Sequence, residues 1–254
     1  MPGVGRAEQA HRLTIIVPVY NEAENFPSLW SALNQQVTAD FDVIVVYDFD
    51  EDNTVPVAQQ LIDSGQSNLR LTRNNIRKGV VGAIVSGFRQ IESGPVLVAM
   101  ADSSDDLRLV DKMLELYNLG YDVVVGSRYM KGGQIINGPW FKQGLSRLAG
   151  ITLYHFRGVP THDICNSFKI YDASMLRQMK IESTAGFEIN IEIAVKAFLS
   201  GRKIAEVPAT WREREHGTSR FSLWRWLPHY LRWYFYAFQP KWQDLRTTES
   251  SRTR

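Results

Sequence analysis

The sequence predicts an α/β fold: a mostly parallel central sheet with helices on both faces, plus a C-terminal amphipathic aromatic helix. Three observations carry this prediction. Strand-like and helix-like stretches alternate from residue 13 to residue 125. Several strand-like stretches are apolar throughout, as strands covered on both faces are. The last such stretch, 221–238, sets Trp, Tyr and Phe among arginines. In open sheets of this kind, ligands gather at the carboxyl ends of the strands.

The elements follow in order. Leu13 to Val17 is a β-rich apolar run, and Glu22 to Gln36 has helix composition with Phe26, Leu29, Trp30 and Leu33 at helical spacing. Phe41 to Val46 reads as a second buried strand, Val55 to Ile62 as a short helix and Leu69 to Thr72 as a third strand. Val80 to Ile91 is a helix after Lys78-Gly79, Pro95 to Ala99 a fourth strand, Leu107 to Leu119 a helix and Asp122 to Val125 a fifth strand. Beyond these, Pro139 to Phe156 reads as a helix, Asn166 to Tyr171 as a strand and Ala173 to Met179 as a short helix. Phe187 to Leu199 is a long helix closed by Ser200-Gly201, and Lys203 to Val207 is a strand reaching Pro208. No Pro/Gly/Ser-rich linker divides the chain. The expected organisation is therefore a flexible N-terminus over 1–12, one domain over 13–220, the aromatic helix over 221–240 and a polar tail over 241–254.

Bulk properties narrow the function. A net charge of +2 over 254 residues supplies no field for nucleic acid. The single cysteine, Cys165, permits no internal disulfide and points to the cytosol. Residues 1–12 lack the apolar core of a secretory signal, and no window approaches the roughly 20 apolar residues of a bilayer span.

Each strand end carries chemistry. Tyr20 offers a flat face for a base and Glu22 an acceptor; Asp48 follows the second strand, where it can accept from a nucleobase or ribose. Asp52 to Thr54 read as a helix cap. Arg77 and Lys78 precede a helix N-terminus, which favours anions. The fourth strand runs into Met100-Ala101-Asp102-Ser103-Ser104-Asp105-Asp106, three carboxylates within five residues. Such a cluster is either a solvated turn with a helix cap or a cation site holding phosphate. Gly126-Ser127-Arg128-Tyr129 ends the fifth strand. The set implies a nucleotide with a metal-bridged diphosphate. Neither G-x-x-x-x-G-K-[ST] nor G-x-G-x-x-G after the first strand occurs, which argues against a P-loop NTPase or a Rossmann dehydrogenase.

The motifs T-I-I-V-P-V-Y-N-E-A-E-N (14–25), V-V-Y-D-F-D-E-D-N-T (45–54), M-A-D-S-S-D-D (100–106), G-S-R-Y (126–129), P-T-H-D-I-C-N-S-F-K-I-Y (160–171), G-F-E-I-N-I-E (186–192) and E-V-P-A-T-W-R-E-R-E-H-G-T-S-R-F (206–221) stand in this order. With them the chain resembles family-2 glycosyltransferases of the polyprenyl-phosphate sugar synthase type, the group that includes dolichol-phosphate mannose synthases. The resemblance implies a GT-A-type fold, a sugar-nucleotide donor and inversion at the anomeric carbon. It implies that Pro18, Tyr20, Glu22 and Asp48 hold the nucleoside, and that Asp102 matches the second Asp of the D-x-D metal motif. Arg128 matches an Arg near the phosphates, and Arg214, Ser219 and Arg220 a segment closing over the donor. Asp163 matches an Asp near the reacting centre, sometimes assigned as general base. Two positions depart from the pattern: Met100 replaces the first Asp of D-x-D, and Tyr47 the first Asp of D-D-G-S. A thioether is a poor ligand for Mg²⁺ or Mn²⁺, so the cation falls to Asp102 with Ser104, Asp105, donor phosphates and water.

The expected reaction follows. Metal and arginines stabilise the leaving diphosphate. A phosphate acceptor hardly needs a base; a hydroxyl acceptor would need Asp163. Glu188 and Glu192 share a helix face, read either as solvated with Lys196 or as close to acceptor or sugar, with Glu188 favoured for function. His162 reads as structural and Cys165 as a small buried residue. Five arginines and two glutamates lie between Arg212 and Arg232, beside the aromatic stretch. That stretch reads as lying on an anionic membrane face, the bland alternatives being a core-packed helix or a dimer interface. The expectation is a peripheral enzyme on the cytoplasmic membrane face, with GDP-mannose as first donor, UDP-glucose as second, and a lipid phosphate as acceptor; the oligomeric state is open. A soluble hydroxyl acceptor, or a binding module impaired by Met100, are the alternatives.

Overall fold

A computed structural model of the chain describes residues 12–137, 140–213 and 223–241. Strands β1 (Leu13–Pro18), β2 (Phe41–Tyr47), β3 (Leu69–Arg73) and β4 (Pro95–Val98) alternate with helices α1 (Phe26–Gln36), α2 (Thr54–Asp63) and α3 (Val80–Phe88). A 3₁₀ turn (Leu107–Leu109), α4 (Val110–Asn118) and β5 (Val123–Ser127) follow. Then come β6 (Gln134–Ile136), α5 (Trp140–Thr152), a π-helical turn (Leu153–Arg157), β7 (Lys169–Asp172) and α6 (Ala173–Gln178). Last are α7 (Ile189–Leu199), β8 (Ile204–Pro208), β9 (Thr210–Arg212) and α8 (Leu223–Tyr236).

Seven strands form one sheet in the order β3-β2-β1-β4-β7-β5-β8, with β7 antiparallel to both neighbours. This single reversal matters for function. It brings residues 160–168, which precede β7, to the edge where β1, β2, β4 and β5 end. Because side chains alternate along a strand, Ile16, Ile44, Val46 and Val98 pack on one face with α3, α6, α7 and Trp233 of α8. Ile15, Val17, Val43, Val45 and Leu97 pack on the other with α1, α2 and α4. Apolar residues on both faces explain the uninterrupted hydrophobic runs in the strands.

The elements differ from expectation where polar residues intervene. The first helix begins at Phe26, not Glu22: Asn21 turns left-handed (φ 55°), and the N–H groups of Asn25 and Phe26 close a turn on the Glu22 carbonyl. The expected helix over 139–156 becomes α5 plus the π-helical turn, closed by Gly158 at φ 72°. Pro139 lies outside the described residues. The ladder of β6 and β9 was not expected, each strand having three residues and little periodicity. The expected strand from Asn166 starts at Lys169, and the Asn166 side-chain amide donates to the Gly126 carbonyl (2.6 Å).

Candidate functional site

At the end of β1, Pro18 pairs with Val46, and the half-exposed Tyr20 sets its ring edge-on to Phe49 (5.4 Å, 65°). The Glu22 carboxylate accepts from Asn25 Nδ2 (2.6 Å). Asp52 is wholly buried and accepts from the N–H groups of Asn21 (3.0 Å) and Thr54 (2.9 Å). It therefore staples the β1 loop to the β2 loop as well as serving the helix start, and the cap expected of Asp52 to Thr54 is only part of its role. Asn53 makes no side-chain cap and instead accepts from Ala23 N–H (3.1 Å).

Asp48 is committed to the loop after β3. Its Oδ1 accepts from Asn74 Nδ2 (2.6 Å) and its Oδ2 from Gly79 N–H (2.6 Å). This clamp holds Arg77, Lys78 and Gly79 against the sheet edge, with Lys78 exposed at the start of α3. Gly79 needs its φ of 101°, which L side chains rarely adopt. Arg77 donates to the Ser183 carbonyl and so ties this loop to the one before α7.

The acidic loop bends at Ser103, a non-glycine residue at φ 53°. Such conformations persist only where surrounding structure holds them, and they gather at functional sites. Asp106 accepts from Arg108 N–H (3.3 Å) and pairs with its guanidinium (2.7 Å), so it caps the 3₁₀ turn. Asp102 Oδ1 accepts from Ser104 N–H (3.2 Å), and Ser104 is buried. The Ser104 carbonyl accepts from Arg212 N–H, and Asp105 forms a bridge with Trp211, so the β8–β9 segment braces the loop. Asp105 Oδ2 is shut off from solvent and has no hydrogen-bond partner. Burial, then the neighbouring Asp102 charge, push the Asp105 carboxyl up to about 7; Arg128 opposes this and Asp163 adds to it. A bare buried carboxylate oxygen beside a second carboxylate is short of positive charge, so Asp102, Ser104 and Asp105 fit a divalent cation. Among the described residues no three His, Cys, Asp or Glu side chains converge.

Arg128 and Asp163 meet across the sheet edge through a fork of two hydrogen bonds: Nε to Oδ2 (2.6 Å) and Nη2 to Oδ1 (2.8 Å). Arg128 N–H adds a third bond to Oδ2 (3.0 Å). Burial works against the guanidinium charge, and the Asp163 carboxylate outweighs it, so the arginine stays protonated. Both oxygens of the fully buried Asp163 are therefore occupied, which corrects the expectation of a free general base there. Gly150 of α5 lets the 160–163 segment approach this closely: a Cβ would stand 1.9 Å from the His162 carbonyl. His162 is structural, as expected: Nδ1 bonds Glu206 (2.6 Å) and the ring stacks on Tyr154 (3.9 Å).

The pair expected on a shared helix face requires correction. Glu188 and Glu192 are both wholly buried, so that face is not solvated. Glu192 accepts from the N–H groups of Glu182 (2.6 Å) and Ser183 (2.7 Å) and from Lys196 Nζ (2.6 Å), a set that makes it a brace for the loop before α7 and not an acceptor ligand. Glu188 uses Oε1 for the N–H groups of Thr184 (3.0 Å) and Ala185 (2.7 Å). Cys165 is half-buried, and burial pushes its thiol up to about 11.

One residue of the site escaped the sequence reading. Lys169, the first residue of β7, is wholly buried and donates to the carbonyls of Ile164 (2.9 Å), Asn166 and Asn190 (3.4 Å). Burial lowers its pKa to about 8, against the pull of Asp163. A lysine inside the apolar run Phe168 to Tyr171 was the available signal. Arg214, Ser219, Arg220 and Phe221 lie outside the described residues.

The family model described as glycosyl transferase family 2 matches residues 14–180, from the first strand through all of β7. The chain belongs to glycosyl transferase family 2. Among its relatives, a polyprenol monophosphomannose synthase of Mycolicibacterium smegmatis is 30% identical over 216 residues, 83% of this chain and 81% of that protein. An undecaprenyl-phosphate mannosyltransferase of Micrococcus luteus is 31% identical, over 83% of this chain and 88% of that one. A dolichol-phosphate mannosyltransferase of Pyrococcus furiosus is 30% identical over 87% of this chain, which spans 63% of that longer relative. Glucosyl-3-phosphoglycerate synthase of Mycobacterium tuberculosis, solved with Mn²⁺, UDP and product, has a TM-score of 0.62 at 15% identity, over 87% of this chain and 76% of that one. This likeness bears on the fold, which is of the GT-A type. The family-2 glycosyltransferase thus carries its acidic loop and its Arg128–Asp163 pair on the sheet edge that the fold reserves for ligands.

Proposed function

We propose that this family-2 glycosyltransferase moves a hexose from a sugar nucleotide to a polyprenyl phosphate, with inversion, at the cytoplasmic face of a membrane. The observation that carries the proposal is the Asp163 carboxylate, whose two oxygens are both taken by Arg128. With the candidate base already paired to an arginine, the site suits an acceptor that arrives deprotonated, as a phosphate monoester does, better than a hydroxyl. Three relatives bear names of polyprenyl- or dolichyl-phosphate mannose transfer, which supports mannose as first sugar; GDP-mannose is the first donor we propose and UDP-glucose the second.

The residues divide the work. Tyr20 and Phe49 offer aromatic faces to the base, beside Pro18 and Glu22. Asp48 positions Lys78 and the start of α3 toward the phosphates. Asp102, Ser104 and Asp105 hold Mg²⁺ or Mn²⁺, which when bound neutralises charge on the leaving diphosphate. Arg128, aimed by Asp163, adds positive charge in a low-dielectric setting where it counts most. Arg214, Ser219 and Arg220 are proposed, on the motif alone, to close over the donor.

The membrane side is proposed from the exposed apolar residues. On α8, Trp233 is buried against the core, whereas Leu231 and Phe235, and Phe238 just beyond the helix, are exposed. Nearby, Leu148 and Phe156 are exposed as well. Arg157 donates to the carbonyls of Ala237 and Gln239, and Tyr234 to Thr152, so the two exposed sets belong to one docked unit. The helix is thus both core-packed and outward-facing. Among the described residues no helix is long and apolar enough to cross a membrane. Incubating purified protein with Mn²⁺, polyprenyl phosphate and a donor panel tests the proposal. Lipid-linked hexose is expected, and release of nucleotide with no lipid product would refute it.

A further inference from the structure

Glu188, like Asp105, keeps one buried carboxylate oxygen without a hydrogen-bond donor. It immediately precedes α7 and is wholly buried, with Oε1 occupied by two backbone N–H groups. Its Oε2 is shut off from solvent and meets no donor. A buried carboxylate oxygen left bare is costly, and such exceptions in a folded protein require a reason.

Helix α8 lies over this residue. Trp226 stands edge-on to Phe187 (5.9 Å, 62°), and its indole is 3.0 Å from where a Cβ on Gly186 would be. About one turn further on, Tyr230 is half-buried; burial first, then Cys165 and Glu188, push its hydroxyl well above its ordinary range, and Arg128 opposes this. Yet no hydroxyl donates to Glu188 Oε2. Arg77 donates to the Ser183 carbonyl, so the loop that Glu188 clamps through Thr184 and Ala185 meets the loop of Lys78, proposed above to face the phosphates.

A lone acceptor oxygen here needs a hydrogen-bond donor. A phosphate brings none and would be repelled by the carboxylate. The hexose attached to the diphosphate is a cluster of neutral hydroxyls. We infer that Glu188 Oε2 accepts a hydrogen bond from a hydroxyl of the transferred hexose, with the Tyr230 hydroxyl as a second contact, so that α8 supplies part of the sugar subsite. The inference rests on the glycosyltransferase reading above.

The test pairs two mild variants with singly deoxygenated donors. Glu188→Gln keeps an amide oxygen for Thr184 and Ala185 and puts an NH₂ group where Oε2 was, so acceptance there is lost. Tyr230→Phe removes one hydroxyl. For the wild type, one deoxygenated donor should lose about tenfold or more in kcat/KM. Glu188→Gln should show a similar loss on the intact donor and no further loss on that analogue. Tyr230→Phe should lose less, on the same analogue. Nucleoside diphosphate affinity should be unchanged in both. Wild-type kinetics in Glu188→Gln, a loss equal across all donors, or weakened nucleoside diphosphate binding would overturn the inference. If Glu188→Gln does not fold, Tyr230→Phe alone decides by the same criteria. Calorimetric affinities for intact sugar nucleotide against nucleoside diphosphate read the subsite even if no lipid product forms, which separates its failure from that of the proposed reaction.

Discussion

Arg128 Nε stands 2.6 Å from Asp163 Oδ2, and the two side chains are joined by a second bond, Nη2 to Oδ1, of 2.8 Å. The residues come from opposite directions: Arg128 follows β5, and Asp163 precedes the antiparallel β7. Their pairing is thus a product of the one reversed strand. Because the pair is buried, removing one partner strands the other charge.

Asp163→Ala should therefore destabilise the fold by about 3–5 kcal/mol and abolish transfer together. Asp163→Asn keeps the shape, so it should cost less stability while still misaligning Arg128. Urea unfolding and transfer rates on the two variants check this. Equal activity of Asp163→Asn and wild type would show that the carboxylate does not aim Arg128.

The acidic loop yields a prediction with a sign. The Asp105 carboxyl, ordinarily near 3.8, is held at about 7 in the fold, by burial first and then by Asp102. Between those values the folded chain keeps a proton that the unfolded chain has lost. Without metal, stability should fall as pH rises from about 4 to 7, and Asp105→Asn should flatten that slope. Mn²⁺ should reverse it, since the cation needs the deprotonated form. Denaturant midpoints at three pH values, with and without Mn²⁺, measure both effects.

Asp102→Ala should lower transfer by about 10²-fold or more, as loss of charge stabilisation does, and Asp105→Ala should cost less. Near-native rates for both would place the cation elsewhere. The measurement is initial rate against Mn²⁺ concentration, where a ligand loss appears as a raised metal requirement.

Much of this site was legible because its residues sit at strand ends, and strands announce themselves by apolar runs such as Val43 to Val46. Periodicity does not report what a side chain bonds to. Asp48 reads as a ligand for base or ribose, yet Asn74 and Gly79 take its oxygens. Glu192 and Lys196 resemble a solvated i, i+4 pair and are instead buried, with the Lys196 ammonium 4.8 Å from the centre of the Trp233 ring. Only the arrival of α8 on α7 makes that face an interior. The β6–β9 ladder escaped notice because three-residue strands carry too few positions for alternation to show.

Lys169 gives a second dependence of opposite sign. Its folded pKa, about 8, lies below its ordinary 10.5 because burial disfavours the ammonium. Stability should rise with pH between about 8 and 10.5, where the unfolded chain binds the extra proton. Lys169→Met should remove this rise. It also leaves the carbonyls of Ile164, Asn166 and Asn190 without their donor, so a loss of about 1–3 kcal/mol at pH 7 is expected. Denaturant melts at pH 7 and 9.5 on both proteins decide the matter.

The exposed apolar set on α8 and beside α5 sets the last test. Leu231, Phe235, Phe238 and Phe156 are each more than two-fifths exposed and lie outside the buried core. Changing Phe156 and Phe235, the two most exposed of these, to Ser should leave the thermal midpoint within a degree or two, because surface substitutions alter stability little. If the face lies on lipid, each removes about 1.5–3 kcal/mol of burial at most, so the double variant should pellet with anionic vesicles at least tenfold less efficiently. Transfer to a short, water-soluble polyprenyl phosphate should be unchanged, since neither residue contacts the Arg128–Asp163 pair. Equal pelleting of variant and wild type, with the fold intact, would remove the membrane reading and leave a protein partner as the occupant of that face.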